Sequence, residues 1–297
     1  YYIMPLIFDK NTIKLLRIPF SFFLMPVYFL ALSQSSLVDE SSIWNAVWVF
    51  VILHLFIYPA SNGYNSYQDQ DEESIGGIKN PPKATKNLFW ASALLDIVGL
   101  ALAFYINFDF FIGILIYTTI SRAYSWRRLR LKKYSLLGFF SVIIFQGFGI
   151  FMSAYAGINQ ASFEDILTSG LIYPALASSF MIAGVYPITQ IYQHKQDVAD
   201  GVHTLSYRLG YKGTFIFSAA MFGLAGIVFY QYFSFMEFLL FQLFLAPVAI
   251  FFVRWFVKVW NNIEEANFEN TMRMNLIAST CTNACFVTIF MLDRLGI

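Results

Sequence analysis

Charge is scarce in this chain. Asp, Glu, Lys and Arg make up 12% of its 297 residues, where an average soluble domain carries roughly 25%. The charges also nearly cancel. Nineteen basic and 18 acidic residues leave a net charge of +1, so no polyanion is implied as a partner and a nucleic-acid-binding module is excluded. Cysteine is almost absent. Cys281 and Cys285 stand i, i+4 inside an apolar stretch, as small packing residues on one helix face do. That excludes a disulfide framework and a cysteine metal site. No repeat, low-complexity tract or cleavable signal pattern stands out, because the first apolar segment is long enough to stay in a bilayer. The first residue is Tyr1 rather than Met, so a few further residues are expected upstream.

What fills the composition is apolar. Hydrophobic residues reach 58% and aromatics 20%, with 34 Phe and 18 Tyr. So few charges cannot cover that much apolar surface in water, which excludes a soluble enzyme and a disordered chain. A bilayer core of about 30 Å needs about 20 apolar residues in a helix. Roughly nine segments qualify: 14–33, 43–61, 88–106, 108–123, 136–156, 166–186, 213–232, 235–257 and 273–292. The fourth is short, and no soluble domain fits between any two. The chain therefore reads as one all-α transmembrane domain over residues 1–297.

The basic residues are not spread evenly among the connections. Put the N-terminus in the cytoplasm. Lys10, Lys14 and Arg17 then share a side with Lys79, Lys83 and Lys86 after span two. The run Arg122 to Lys133 after span four joins them, as do Lys195, Arg208 and Lys212 after span six, and Arg254, Lys258 and Arg273 between spans eight and nine. Arg294 is the exception. This bias predicts nine spans in a bacterial-type inner membrane, with the N-terminus and the long loops cytoplasmic.

Two of those cytoplasmic stretches share a construction. In the first, residues 62–85, span two is expected to continue as a helix to Glu73. Asn62, Asn65, Asp69 and Glu73 then fall within about an 80° arc, with Asp71 on the far side. Gly76-Gly77 and Pro81-Pro82 stop the helix. In the second, residues 186–205, Gln190, Gln193, Asp197 and Asp200 fall within about 80°, and Gly201 stops the run. A hard cation such as Mg²⁺ takes oxygen ligands and is held by one or two carboxylates plus substrate phosphates. The loop after span four adds Arg130 and Lys132, suited to phosphate oxygens. Acids, metal and bases together describe a diphosphate site beside lipid. The basic run read alone is a topology signal and lipid-headgroup contact. A helix tip ending in acids, read alone, is a solvated end.

The motifs resemble those of the UbiA superfamily of intramembrane prenyltransferases over the whole chain. Asn65-Ser-Tyr-Gln-Asp69-Gln-Asp-Glu-Glu73 is similar to that family's N-x-x-x-D-x-x-x-D, with Glu in the last place. Gln193-His-Lys-Gln-Asp197, followed by Gly201 and Thr204-Leu205, is similar to its D-x-x-x-D motif, with a neutral amide as the first member. Tyr124-Ser125 and Arg130-Leu131-Lys132 match part of its loop after helix four, although Arg127 and Arg128 stand in place of two prolines. Arg17-Ile-Pro19 is also family-like. The resemblance implies nine helices around a central cavity open to lipid. It implies Mg²⁺-dependent transfer of a prenyl group from a polyprenyl diphosphate to a hydrophobic, usually aromatic, acceptor. Asn65, Asp69, Glu73 and Asp197 would hold the metal. Asn62, Asn65, Tyr124, Arg130, Lys132 and Gln193 would bind substrate. A transporter or lipid-binding membrane protein that uses the same mouth without chemistry is the alternative.

Some polar residues fall within the spans. Asp96 in span three either faces the cavity, orienting the acceptor or acting as general base beside Asp69 and Asp197, or makes a buried interhelical hydrogen bond. His54 is expected to be structural, His194 and His203 solvated, and Gln146 and Asn283 interhelical hydrogen-bonders.

Overall fold

The computed structural model describes residues 7–37, 39–70 and 72–296. Asp71, expected to point away from the acidic face, lies outside them. Among the described residues the chain is helical, apart from loops and two isolated bridges, Ile75 to Ile78 and Tyr134 to His203. Eight helical stretches are long and apolar enough to cross a membrane: α1 (Lys10–Ser33), α2 (Glu40–Asp69), α3 (Lys86–Ile106), α5 (Ser135–Asn159), α6 (Ile172–Ala199), α7 (Leu205–Tyr232), α8 (Phe235–Asn261) and α9 (Phe268–Leu295). The shorter α4 (Phe108–Ser125) packs among them on α3 and α5 and brings the bundle to about nine helices among the described residues. At 1.5 Å per residue α3 spans about 31 Å and α4 about 27 Å, so only α4 falls short of a bilayer core. Helices in lipid satisfy their own backbone groups, so this architecture follows from the composition.

Several boundaries depart from expectation for local reasons. The first span is not one helix. Arg17 takes a left-handed conformation (φ 50°), and Ile18–Leu24 winds as a 3₁₀ segment with a proline near its start. The sixth span starts at Ile172 rather than 166, because the short helix Phe163–Thr168 stops at an extended Ser169. The seventh starts at Leu205 rather than 213, capped by Thr204 and broken at Gly210 (φ 67°).

The departure that matters most is the end of α2. The helix does not reach Glu73. It stops at Asp69, where Gln70 turns left-handed (φ 56°) and donates its N–H to the Ser66 carbonyl. Arg127 then takes over the exposed carbonyls. Its Nε donates to Gln68 O at 2.5 Å and its Nη2 to Asp69 O at 3.1 Å. The last carbonyls of a helix need such partners, and a cation there also suits the helix dipole. The guanidinium thus caps α2 where it ends, four residues early.

Helices α1, α2, α4, α5, α6 and α9 surround a central cavity, while α3, α7 and α8 pack outside them. Close approach of α5 and α6 depends on Gly147. A Cβ there would lie 2.5 Å from the Ser179 backbone. Exposed side chains such as Trp90, Ile97, Tyr105, Leu243 and Val253 cover the outer surface, as lipid-facing residues should. Cys281 and Cys285 pack as expected in the apolar interior. His54 is buried, with Nδ1 on the Phe50 carbonyl at 3.0 Å.

Two expectations fail. His194 is not solvated: it is buried, with Nε2 2.8 Å from the Ser206 hydroxyl and its ring beside Tyr211. Helix α7 starts early enough to cover it. Asn283 is buried, but neither side-chain polar atom has a hydrogen-bond partner among the described residues. It is therefore not the interhelical link that span nine led us to expect.

Candidate active site

The cavity has a volume of about 350 Å³. Its polar end is built from helix tips. Asn62, Asn65 and Asp69 lie at i, i+3 and i+7 on α2, so one face carries all three inward, and all three line the cavity. Two contacts hold that face against α4. The Ser61 and Ser121 hydroxyls meet at 2.5 Å, and Asn65 Nδ2 donates to Ser125 Oγ at 3.0 Å. Across the cavity, α6 tightens into a 3₁₀ turn at Ile191–Gln193 and resumes at His194–Ala199. Gln190, Gln193, Asp197 and Asp200 all face the cavity, as the helical spacing predicts. Tyr124 lines it as well, with its hydroxyl 2.5 Å from that of Tyr186.

The basic loop after α4 joins the two acidic tips. Lys132 Nζ pairs with Asp69 Oδ2. Arg130 Nη2 sits 3.5 Å from Asp69 Oδ1 and 2.7 Å from Asp200 Oδ2, and its Nη1 donates to the Asp200 carbonyl at 3.2 Å. One guanidinium therefore touches carboxylates from both α2 and α6. The Asp69 side chain is only 5% exposed, and those of Lys132 and Arg130 are 13% and 14% exposed. Buried charges persist when they are paired in this way.

Glu73 does not join this set. Because α2 ends at Asp69, Glu73 lies in the loop, exposed and off the cavity wall. Asp200 supplies the third carboxylate instead. Asp96 does not line the cavity either. It lies between α3 and α4, where Arg122 holds its Oδ2 through Nε at 2.9 Å and through Nη2. The same guanidinium stacks on Tyr64 at 4.1 Å. Of the two readings of Asp96, the interhelical link is the observed one, since Arg122 sits in the last turn of α4 rather than in the loop.

A strap closes the mouth. Ile75 and Ile78 pair across Gly76-Gly77, with Gly77 at φ 84°. A Cβ on Gly76 would meet the Phe20 ring at 2.6 Å. Arg17 donates to the carbonyls of Gly76 (3.4 Å) and Asn62 (3.1 Å), and Gln193 Nε2 donates to Ser74 O at 3.3 Å. Arg17, Gln196 and Asn275 line the site without having been singled out as lining residues. For Arg17 the signal was present in the Arg-Ile-Pro pattern. For Gln196 and Asn275 none exists, because an amide on a helix end carries no mark of what it faces.

The donors suit a hard cation. Carboxylates of Asp69, Asp197 and Asp200 and the amides of Asn65 and Gln193 offer oxygen, the chemistry Mg²⁺ takes. Asp69 Oδ1 and the buried Gln190 Oε1 accept no hydrogen bond among the described residues. No three acidic, His or Cys side chains among them converge as a complete metal cage.

Away from the tips the wall turns apolar, with Phe20, Phe23, Leu24, Val27, Ile120 and Phe145. An acid-tipped, base-bridged mouth over an apolar chamber inside a bundle of apolar helices defines an integral membrane protein. The UbiA prenyltransferase family matches residues 21–277, and the chain belongs to it. Members of this family are prenyltransferases.

Solved structures share the fold. A UbiA homologue from Archaeoglobus fulgidus bound to DMAPP and Mg²⁺ superposes with a TM-score of 0.67 at 15% identity, covering 95% of this chain and 100% of that one. One from Aeropyrum pernix, in its apo form, gives 0.67 at 19% identity over 92% and 98%. Digeranylgeranylglyceryl phosphate synthase gives 0.58 at 19% identity over 95% and 97%. No curated protein matches the chain.

Proposed function

We propose that this protein transfers a prenyl group from a polyprenyl diphosphate to a hydrophobic, aromatic acceptor within the membrane, with Mg²⁺ as cofactor. One observation carries the reading. Asp69 of α2 and Asp200 of α6 share Arg130, and they line one cavity with Asp197 and Lys132 above an apolar wall. The Archaeoglobus homologue bound to GPP and Mg²⁺ supports the ligand class.

Asn65, Asp69, Asp197 and Asp200 would hold the metal, with Gln193 assisting. When bound, Mg²⁺ supplies Lewis-acid neutralisation of diphosphate oxygens. Arg130 and Lys132 stand where they can turn from the carboxylates to a diphosphate and stabilise the charge that grows as the allylic C–O bond ionises. Asn62 and Tyr124 line the same end and orient the head group. Phe20, Phe23 and Phe145 exclude water from the allylic cation and offer it π faces. The strap from Ser74 to Ile78 screens the mouth. The basic residues gathered at this end support a cytoplasmic orientation for it.

The test is donor consumption in membranes containing the chain, with radiolabelled polyprenyl diphosphates of several lengths and a panel of aromatic acceptors. Asp69→Asn and Asp197→Asn should each lower transfer by about 10²-fold or more. If the wild type consumes no donor with any acceptor, the enzyme reading is lost and a ligand carrier without chemistry takes its place.

A further inference from the structure

One buried titratable side chain takes no part in the chemistry above. His194 stands between Gln193 and Asp197 in the second acidic tip, yet it is not among the residues that line the cavity. It turns instead toward α7 and is 5% exposed. Its ring lies beside those of Tyr207 and Tyr211, with centroids 5.7 and 4.8 Å away.

The imidazole opens a chain of hydroxyls. His194 Nε2 is 2.8 Å from Ser206 Oγ, and Ser206 Oγ is 3.1 Å from Thr214 Oγ1. Ser206 and Thr214 are fully buried. Thr214 Oγ1 donates to the Gly210 carbonyl at 2.7 Å, beside the break in α7, and reaches the Ser206 carbonyl at 3.1 Å. A hydroxyl has one hydrogen to give. Thr214 gives its own to a carbonyl, so Ser206 donates to Thr214, and His194 Nε2–H donates to Ser206. The chain fixes one tautomer of the imidazole and ends on the backbone of α7.

The place of this bond gives it a role. The helix His194–Ala199 has six residues, too few to hold its shape alone. It carries Asp197, and the turn after it carries Asp200. Two other ties of this tip face the site: Arg130 to Asp200 at 2.7 Å and Gln193 to Ser74 O at 3.3 Å. A metal-bound diphosphate would draw Arg130 and Gln193 to itself. The bond from His194 to Ser206 lies off the cavity wall, so it persists when the site fills.

We propose that His194 is a positioning residue: through Ser206 it latches the second acidic tip to α7 and holds Asp197 and Asp200 in place for a divalent cation that carries a diphosphate. This rests on the metal-diphosphate reading above and adds the pair that keeps its ligands aligned. Partners that orient metal ligands from behind raise affinity, because fewer misaligned states have to be given up on binding.

The test is equilibrium binding of radiolabelled inorganic pyrophosphate to the detergent-solubilised full chain, with Mg²⁺ and with a chelator in its place. No prenyl group is present, so the readout does not depend on transfer. His194→Phe keeps a flat ring beside Tyr211 and loses the N–H. Ser206→Ala loses the acceptor. Each should weaken Mg²⁺-dependent binding about fivefold, the worth of one hydrogen bond. The double variant should bind no more weakly than either single. His194→Gln, whose amide N–H can reach the same hydroxyl, should return to within about twofold of wild type. Phe229→Leu, a core change at the far end of α7, should lower the unfolding midpoint and leave pyrophosphate binding unchanged. If His194→Phe does not fold, Ser206→Ala decides the matter. Wild-type affinity in Ser206→Ala, or an equal loss in Phe229→Leu, overturns the proposal alone. A wild type that binds no pyrophosphate with Mg²⁺ overturns the metal-diphosphate reading and the proposal with it.

Discussion

The charge cluster at the mouth can be dissected by a double-mutant cycle on Asp69 and Lys132. One such pair is worth about 4 kcal/mol before desolvation, at about 4 Å and an effective dielectric near 20. Desolvation takes back a large share. Asp69→Asn strands Lys132 and leaves Arg130 with only Asp200, so it should destabilise by about 3 kcal/mol. Lys132→Met leaves Asp69 held by Arg130 at 3.5 Å, so its cost should be nearer about 1 kcal/mol. The double variant removes both members and keeps the Arg130 to Asp200 contact at 2.7 Å. Its cost should fall below the sum of the singles by about 1–2 kcal/mol. Thermal unfolding in detergent reads this as a midpoint recovered by about 2–4 °C, while prenyl transfer stays lost in all three variants. Strictly additive midpoints would mean that the two side chains do not interact, and the paired mouth would have to be abandoned.

Glu73→Gln should leave transfer and its Mg²⁺ dependence within about twofold of wild type, because Glu73 is off the cavity. A Mg²⁺ titration of Asp69→Asn, Asp200→Asn and Glu73→Gln membranes checks this, with only the first two displaced. Asp96→Asn breaks the largely buried Arg122 pair and should destabilise by about 2 kcal/mol, read as a lower unfolding midpoint, while KM for the donor stays unchanged in steady-state assays. Gly147→Ala should destabilise by about 1–3 kcal/mol, since the new methyl meets the Ser179 backbone, which cannot move aside as a side chain would. Unfolding midpoints measured beside Gly223→Ala, where a Cβ meets nothing within 4 Å, give the comparison.

Much of the site was legible residue by residue. Asp69 and Asp197 face one cavity because each stands on a helix whose inward face repeats with helical spacing. Lys132 and Arg130 reach it because the loop after α4 is short. Glu73 was misplaced because the spacing argument assumed that α2 continues, whereas the chain turns left-handed at Gln70 and Arg127, fifty-eight residues beyond Asp69, caps the freed carbonyls. Asp96 stayed ambiguous for the same reason. Its partner Arg122 lies on the next helix, and nothing local shows which way either side chain turns. Gln146 was expected to bond between helices and does, its Oε1 accepting from the Tyr117 hydroxyl of the neighbouring helix.

By itself the amino-acid order determined that the chain lives in a bilayer, crosses it as a bundle of helices and gathers nearly all its basic residues at one end. These are local properties of composition and periodicity, set segment by segment through the cost of placing polar groups in lipid. Only the tertiary structure decided which charges meet, and that Asp200 rather than Glu73 completes the acidic mouth. Those outcomes rest on contacts between residues far apart in the chain, and their geometry exists only once the helices are packed.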